Sequence, residues 1–413
     1  MGLPVEDAAI LDRTRRRKDS AMTSDSGIPK GDRGSASDLR GRVRLELDKL
    51  RELVQKISLD EIRQGEWFAR LLKFSLDQYV TEVDAAYFAR VYPGLSPDDL
   101  VRARIEMAAR NASVGGALTS GAYAGALAAT IGSRGAASPV MLPAAGASFA
   151  LDLLYMANLQ LRLAYDIAVI TGVRLDLDDP EDLWKLIRVA FVIQGRAARW
   201  EALGRRAPMA VRPVLQKIFA GDPAAAARSL PAMGRFLLQR NLLKFAIPGL
   251  GVPLTISVNY WSASASGNQA AEVFQREARI MATARRITER SVDPAELLWV
   301  LWLIVKADGV VHENERLLLK HVSVRVGDLD SELSALAGLD RTIDFDLKST
   351  VSIPDFASQD TEALYQAGVA AAAVDGSIDP NELSRLKKVA DHCSVPFDPN
   401  AVRKQAADEA RAS

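Results

Sequence analysis

The sequence predicts an all-α protein: a helical bundle with Gly/Ala-rich apolar helices, followed by a second, smaller domain made of a duplicated helix–turn–helix. Three observations carry this. Apolar residues recur at helical spacing, whereas the period of two that marks a half-buried strand is absent, and only Thr342–Leu347 suits a short extended piece. A helix-start signal recurs as Ser96-Pro97-Asp98-Asp99, Asp179-Pro180-Glu181-Asp182 and Asp293-Pro294-Ala295-Glu296. Each has a capping oxygen, a proline in the first turn and acids at the positive end of the helix dipole. Finally, DGVVHENE at 308–315 returns as DGSIDPNE at 375–382, each copy lying between two apolar helical segments, which implies a duplicated unit.

Taken in order, residues 1–40 are rich in Ser, Gly, Asp and Arg without an apolar period and predict a disordered tail, basic from Arg15 to Lys18. Residues 41–285 predict the larger helical domain, with order beginning near Leu45, a helix over Leu45–Ile57 and another over Leu59–Val91 that stops at Pro93-Gly94. Residues 290–396 predict the duplicated domain. Its first hairpin pairs Glu296–Asp308 with Arg316–Val326, and its second pairs Asp360–Asp375 with Leu383–His392. Residues 397–413 predict a C-terminal tail.

Two stretches depart from the soluble pattern. Val114–Ser133 and Gly135–Leu151 carry no charge and are separated only by Arg134, and Phe245–Ala271 carries none either. Each is about long enough to cross a bilayer. Their Ala, Gly and Ser content and the interruptions at Pro139, Pro143, Pro248 and Pro253 oppose that, because Ala-rich spans insert weakly. Small residues at four-residue spacing, Ala117, Gly121, Gly125 and Ala129, permit close helix–helix approach in lipid or in a protein core. Buried soluble helices, a reversible membrane-embedded hairpin and true spans all fit. Asp152, Arg162 and Asp166 fall in a long apolar helix, and the i,i+4 spacing of the last two predicts a pair on one face.

The zero net charge conceals two opposed regions. Residues 190–245 hold ten Arg/Lys against Glu201 and Asp222, whereas residues 293–382 hold seventeen Asp/Glu against six Lys/Arg. Either the two regions attract each other, or the basic one faces an anionic surface. Because the basic run adjoins an uncharged segment, anionic lipid of an inner-membrane surface is the expected contact. Nucleic acid is not expected, since no stacking aromatics or reader motif accompany the arginines.

Val114-Gly115-Gly116-Ala117-Leu118, the run Asp152-Leu153-Leu154 leading into Leu159 through Ala168, Gly172, and Pro180-Glu181-Asp182 resemble the EcsC family. Lys244 through Gly251 and Asn259-Tyr260 are similar to that family's second block. The resemblance covers roughly residues 45–285. It implies a bacterial, helical, often membrane-associated protein with no established enzymatic activity, and it supplies no catalytic residues.

The repeated frame places Asp308, Glu315, Asp375 and Glu382 at matched positions in two units expected to pack together. In the second copy, Gly376 suits a helix end, Asp379 is a good N-cap, Pro380 fits the first turn and Glu382 completes a capping box, so a structural joint explains it. The first copy is a poorer joint: His312 is a weak cap and no proline follows it. Retention of Asp and Glu there favours a cation held between the two half-sites. Gly, an aliphatic residue and Glu match positions six, eight and twelve of an EF-hand loop, but Ile304, Lys306, Ala371 and Ala373 occupy ligand positions, so neither loop is a complete EF-hand. The two hairpins with this frame resemble the tellurite-resistance TerB family over about residues 290–396. That implies a divalent-metal-associated, stress-linked domain with those four carboxylates at the family's acidic positions.

Other chemistry is thin. Cys393 is the lone cysteine, so no internal disulfide forms and a reducing cytoplasm is expected. His312, His321 and His392 share no ligand spacing with it. The N-terminus lacks an apolar export segment, and Glu6 stands where a myristoylation signal needs Ser or Thr. No nucleophile-elbow, phosphate-loop or dinucleotide motif occurs. The expected protein is therefore non-enzymatic and has no organic cofactor. It is cytoplasmic and peripheral to the inner membrane, a stress-response or transport-accessory protein with an unidentified protein partner. Its cation would be Ca²⁺ or Mg²⁺ rather than Zn²⁺, because the candidate ligands are all hard oxygens. The alternative is a helical scaffold or interaction module without a metal site.

Overall fold

The computed structural model describes residues 36–132, 138–192, 230–245, 251–290, 293–307, 311–326 and 360–412. Every regular element among them is helical, so the all-α class holds. Residues 1–35 of the tail expected over 1–40, most of the basic 190–245 run, the Thr342–Leu347 segment, Pro248 and Asp308 lie outside the described residues. Contacts divide the chain into two units, residues 1–170 with 176–268, and residues 171–175 with 269–413.

In the first unit the chain is helical from Ala36 to Gln55 (α1), nine positions earlier than its apolar pattern predicts. The single helix expected over 59–91 is four pieces: Leu59–Gln64 (α2), Trp67–Leu76 (α3), Tyr79–Glu82 (α4) and Ala85–Val91 (α5). Local chemistry sets the breaks. Ser58 and Glu61 form a capping box at the start of α2, and Gly65 ends it at φ +84°, a left-handed conformation that glycine adopts without strain. Asp84 caps α5 by accepting from Tyr87 N. Gly65 also admits a close neighbour. A Cβ there would lie 1.8 Å from the carbonyl oxygen of Pro231, and one on Gly234 would lie 2.2 Å from the Gly65 oxygen. Helix Leu230–Phe245 (α9) therefore seats against α2 and α3 backbone to backbone.

Three long helices make the rest of this unit. Pro97–Gly132 (α6) starts at the Ser96 signal, where Asp99 N donates to Ser96 Oγ. Ser138–Thr171 (α7) and Gly251–Thr288 (α10) follow. Pro139 and Pro253 sit in the first turns of α7 and α10, where a helix tolerates proline, and Pro143 lies in the second turn of α7. Pro180–Ala190 (α8) has Asp179 as its N-cap, as expected. Cross-helix contacts fix the register. Arg104 meets Asp166, Tyr155 Oη donates to the Asn111 carbonyl, and Thr119 meets Asp152, so α6 and α7 run antiparallel. Tyr260 meets Glu106, Ser113 meets the Ile256 carbonyl and Gln160 meets Ser262, so α10 runs against α6 and along α7.

In the second unit, Pro294–Val305 (α11) and Glu313–Val326 (α12) form one hairpin, and Thr361–Ala373 (α13) and Pro380–His392 (α14) form the other. The two opening helices, apolar nearly all round, pack on each other at the centre. Gly368 permits this. A Cβ there would meet Leu386, Val300 and Ile304 at 3.2–3.6 Å, from α14 and α11 together. Ile280, Ala284 and Ile287, on the second half of α10, belong to the same core, which moves the unit's start to Gln269 from the expected 290. The tail expected over 397–413 contains a helix instead, Pro399–Ala412 (α15). Asp398 accepts from Asn400 N at 2.8 Å, and Val402 and Ala406 are buried.

Candidate functional site: paired acidic turns and a buried polar seam

The two acidic turns use their glutamates alike. Glu382 Oε2 accepts from Asp379 N at 2.7 Å, and Glu315 Oε2 accepts from His312 N at the same distance. Both glutamates are buried, at 7% and 2% exposure, and both make the reciprocal bond of a capping box. The first copy is thus a better joint than His312 alone suggests, because the backbone N–H, not the imidazole, is what Glu315 engages. Asp379 closes the other half of the second box and also accepts from Asn381 N at 2.7 Å. Asp375 accepts from Ser377 N at 3.0 Å and Ser377 Oγ at 3.1 Å, which tightens the turn around Gly376 at φ +81°. Asn314 Nδ2 reaches the Val374 carbonyl at 3.4 Å, so the two turns are neighbours, as duplication predicts. Among the described residues no three His, Cys, Asp or Glu gather as a metal cluster, and Asp308 is not among them.

A polar seam that the sequence shows only in part runs through the first unit. Asp152, fully buried, accepts from Thr119 Oγ1 at 2.8 Å and Asn259 Nδ2 at 3.1 Å. The Gly115-Gly116 pair makes room for it. A Cβ on Gly116 would lie 2.7 Å from Asn259 Nδ2, and one on Gly115 would lie 2.2 Å from the Tyr155 ring. Burial, then the Glu46 and Asp152 charges, push the Tyr155 hydroxyl well above the usual range.

Arg162 and Asp166 do not form the pair their spacing predicts. Asp166, fully buried, accepts from Tyr79 Oη at 2.7 Å and from both Nε and Nη2 of Arg104 across on α6. Arg162 turns to α1 instead, 2.9 Å from Glu46, which also accepts from Asn158 Nδ2 at 2.9 Å. Its guanidinium lies 4.7 Å from the centre of the Tyr79 ring and donates to the Ser75 carbonyl at 3.1 Å. Tyr79 thus stands between the two side chains, whose charges are met by other helices. Helical spacing identifies which residues share a face, but not which neighbour meets that face. Burial and the Asp166 charge keep the Tyr79 hydroxyl protonated.

Burial first, then Glu296 and Glu362, push the Cys393 thiol up to about 11. His321 Nε2 stands 3.5 Å from Glu277 Oε1, a contact that their separation in the sequence hides. Comparison with known proteins finds no matching family model, no similar curated protein and no similar solved structure.

Proposed function

We propose that this chain is a non-catalytic, membrane-associated helical accessory protein, whose first unit meets an anionic bilayer and whose second is a structural module. One observation carries the reading. α6 has no charged residue from Asn111 to Gly132, α7 has none from Ser138 to Leu151, and α10 has none from Gly251 to Ala271. The Thr119–Asp152 contact sets the uncharged lengths of α6 and α7 side by side, and the Ser113–Ile256 contact brings the start of the α10 length to the start of the α6 one. The basic 190–245 composition supplies attraction to anionic headgroups. Gly146–Thr171 is apolar and long enough to cross a bilayer, but 83% of its most apolar 18-residue stretch is buried inside the protein, which supports association over a span by that segment. This agrees with what the resemblance to the EcsC family implies.

For the second unit the structural alternative is the better supported. Glu315, Glu382 and Asp375 all serve backbone N–H groups of their own turns, so we read the repeated frame as two helix joints. The first test is flotation of the full chain with vesicles of 7:3 phosphatidylcholine and phosphatidylglycerol, beside vesicles of phosphatidylcholine alone. Binding to the mixed vesicles that exceeds binding to the neutral ones at low salt is expected. Absence of binding to both overturns the membrane reading.

A further inference from the structure

A cleft of about 540 Å³ opens within the second unit, between the end of α10, α13 and α15. Cavities of about 300–1,000 Å³ are the size that holds small molecules. The floor of this one is apolar and recessed: Ile287, Ala363, Ala367 and Ala370 line it, and none of them is more than 6% exposed. The three alanines stand at i, i+4 and i+7, so they share one face of α13, and their short side chains leave space that larger ones would fill. The rim is polar. Arg286 and Arg290 come from the last turn of α10 and the residues just past it, Lys404, Gln405 and Asp408 from α15, and Gln366 from α13.

Three cations thus share the rim with one carboxylate. Among the described residues none of Arg286, Arg290 and Lys404 has an ion-pair partner, whereas Arg276 and Arg285 on the same stretch of α10 are held by Glu272 and Glu289 at 2.9 and 2.6 Å. The negative end of a helix accounts for a basic residue in the last turn of α10, but not for Arg290 beyond it or Lys404 on another helix. Two guanidiniums and an ammonium above an apolar floor fit a ligand with an anionic head and an aliphatic body, because the guanidinium fork matches a carboxylate or phosphate. No aromatic ring lines the cleft among the described residues, so a nucleobase has nothing there to stack on. We infer that this cleft binds a small amphiphilic anion, with its carboxylate or phosphate head at Arg286, Arg290 and Lys404 and its chain along Ile287 and the alanines. The site adds a ligand to the unit read above as structural and stands independently of the membrane reading.

The test is titration calorimetry of the full chain with laurate and with dodecyl phosphate, each below its micelle concentration, beside dodecyl maltoside and AMP. An anionic amphiphile should bind once per chain and about tenfold tighter than the neutral one, and the tighter of laurate and dodecyl phosphate identifies the head as carboxylate or phosphate. Arg286→Gln combined with Lys404→Gln should weaken that binding about tenfold. Ala401→Phe, at an exposed position on the cleft wall, should weaken it by a similar factor by filling the room for the chain. Arg285→Gln, whose guanidinium is held by Glu289 and does not line the cleft, should leave it unchanged. Circular dichroism of each variant confirms the fold. Failure of both anionic amphiphiles to bind, equal binding of dodecyl maltoside, or tighter binding of AMP overturns the inference. Binding that the double variant and Ala401→Phe both leave intact also overturns it, by assigning the amphiphile to another part of the chain. None of these outcomes alters flotation with vesicles, on which the membrane reading stands or falls separately.

Discussion

Breaking the Asp166 contact is the sharpest test of how the first unit is held together. Asp166→Asn keeps the shape and an acceptor for Tyr79 but removes the charge that meets the Arg104 guanidinium, itself only 20% exposed. An uncompensated buried charge costs about 3–5 kcal/mol. Arg104→Met leaves the carboxylate with Tyr79 alone and should cost a similar amount, so the pair of changes should fall short of additivity by about 2–3 kcal/mol. Arg162→Met is expected to be milder, because Glu46 is 30% exposed and such pairs contribute about 1 kcal/mol or less. Its coupling to Asp166→Asn runs only through the Tyr79 ring and should stay below about 1 kcal/mol. The assay is hydrogen exchange of α6 and α7 peptides with increasing urea in the full chain, which reads this unit separately from the other. Additivity of the Arg104 and Asp166 changes, or a larger coupling between Arg162 and Asp166, refutes the cross-helix pairing.

Glu315→Ala and Glu382→Ala each strand a backbone N–H near a buried side chain and should cost about 1–3 kcal/mol, whereas Asp375→Asn keeps the Ser377 bond and should be nearly neutral by calorimetry. Adding Ca²⁺ or Mg²⁺ after chelator should leave the melting temperature of the full chain unchanged; a rise of several degrees, corresponding to about 2.7 kcal/mol at a hundred times the dissociation constant, replaces the joints with a cation site. The Cys393 thiol ionises later in the folded than in the unfolded chain. Its contribution is therefore intact below pH 9 and lost as pH rises toward about 11, a decline that Cys393→Ala should remove from urea titrations. Gly65→Ala puts a side chain at φ +84° and into the Pro231 carbonyl, and should cost more than about 2 kcal/mol and expose α9 amides to exchange.

Helix class and starts were legible because they are written locally. Ser96, Asp179 and Asp293 each sit one residue before a proline-led helix, and each does cap. The segmentation of 59–91 was not, because the apolar period continues through Gly65 and Asp84, whose local caps break the helix, and the close approach of α9 to Gly65 comes from beyond residue 230. The duplicated turn was visible as a repeat, and its second copy as a joint, since every element of the box is in the eight residues. In the first copy Glu315 can be read from the sequence but its partner cannot, because a backbone N–H has no letter. Glu46, Arg104 and Glu277 escaped notice for another reason. Each is one charge among many on its own helix, and acquires its meaning from a residue far away in the chain.

The central packing of α11 on α13 has a consequence for how the second unit is built and how it tolerates change. The opening helices of the two hairpins share a core: Gly368 of α13 lies against Val300 and Ile304 of α11, and the buried residues of both hairpins belong to a single cluster. Folding of the unit is then all-or-none, and the two halves behave as a single cooperative block despite their internal symmetry.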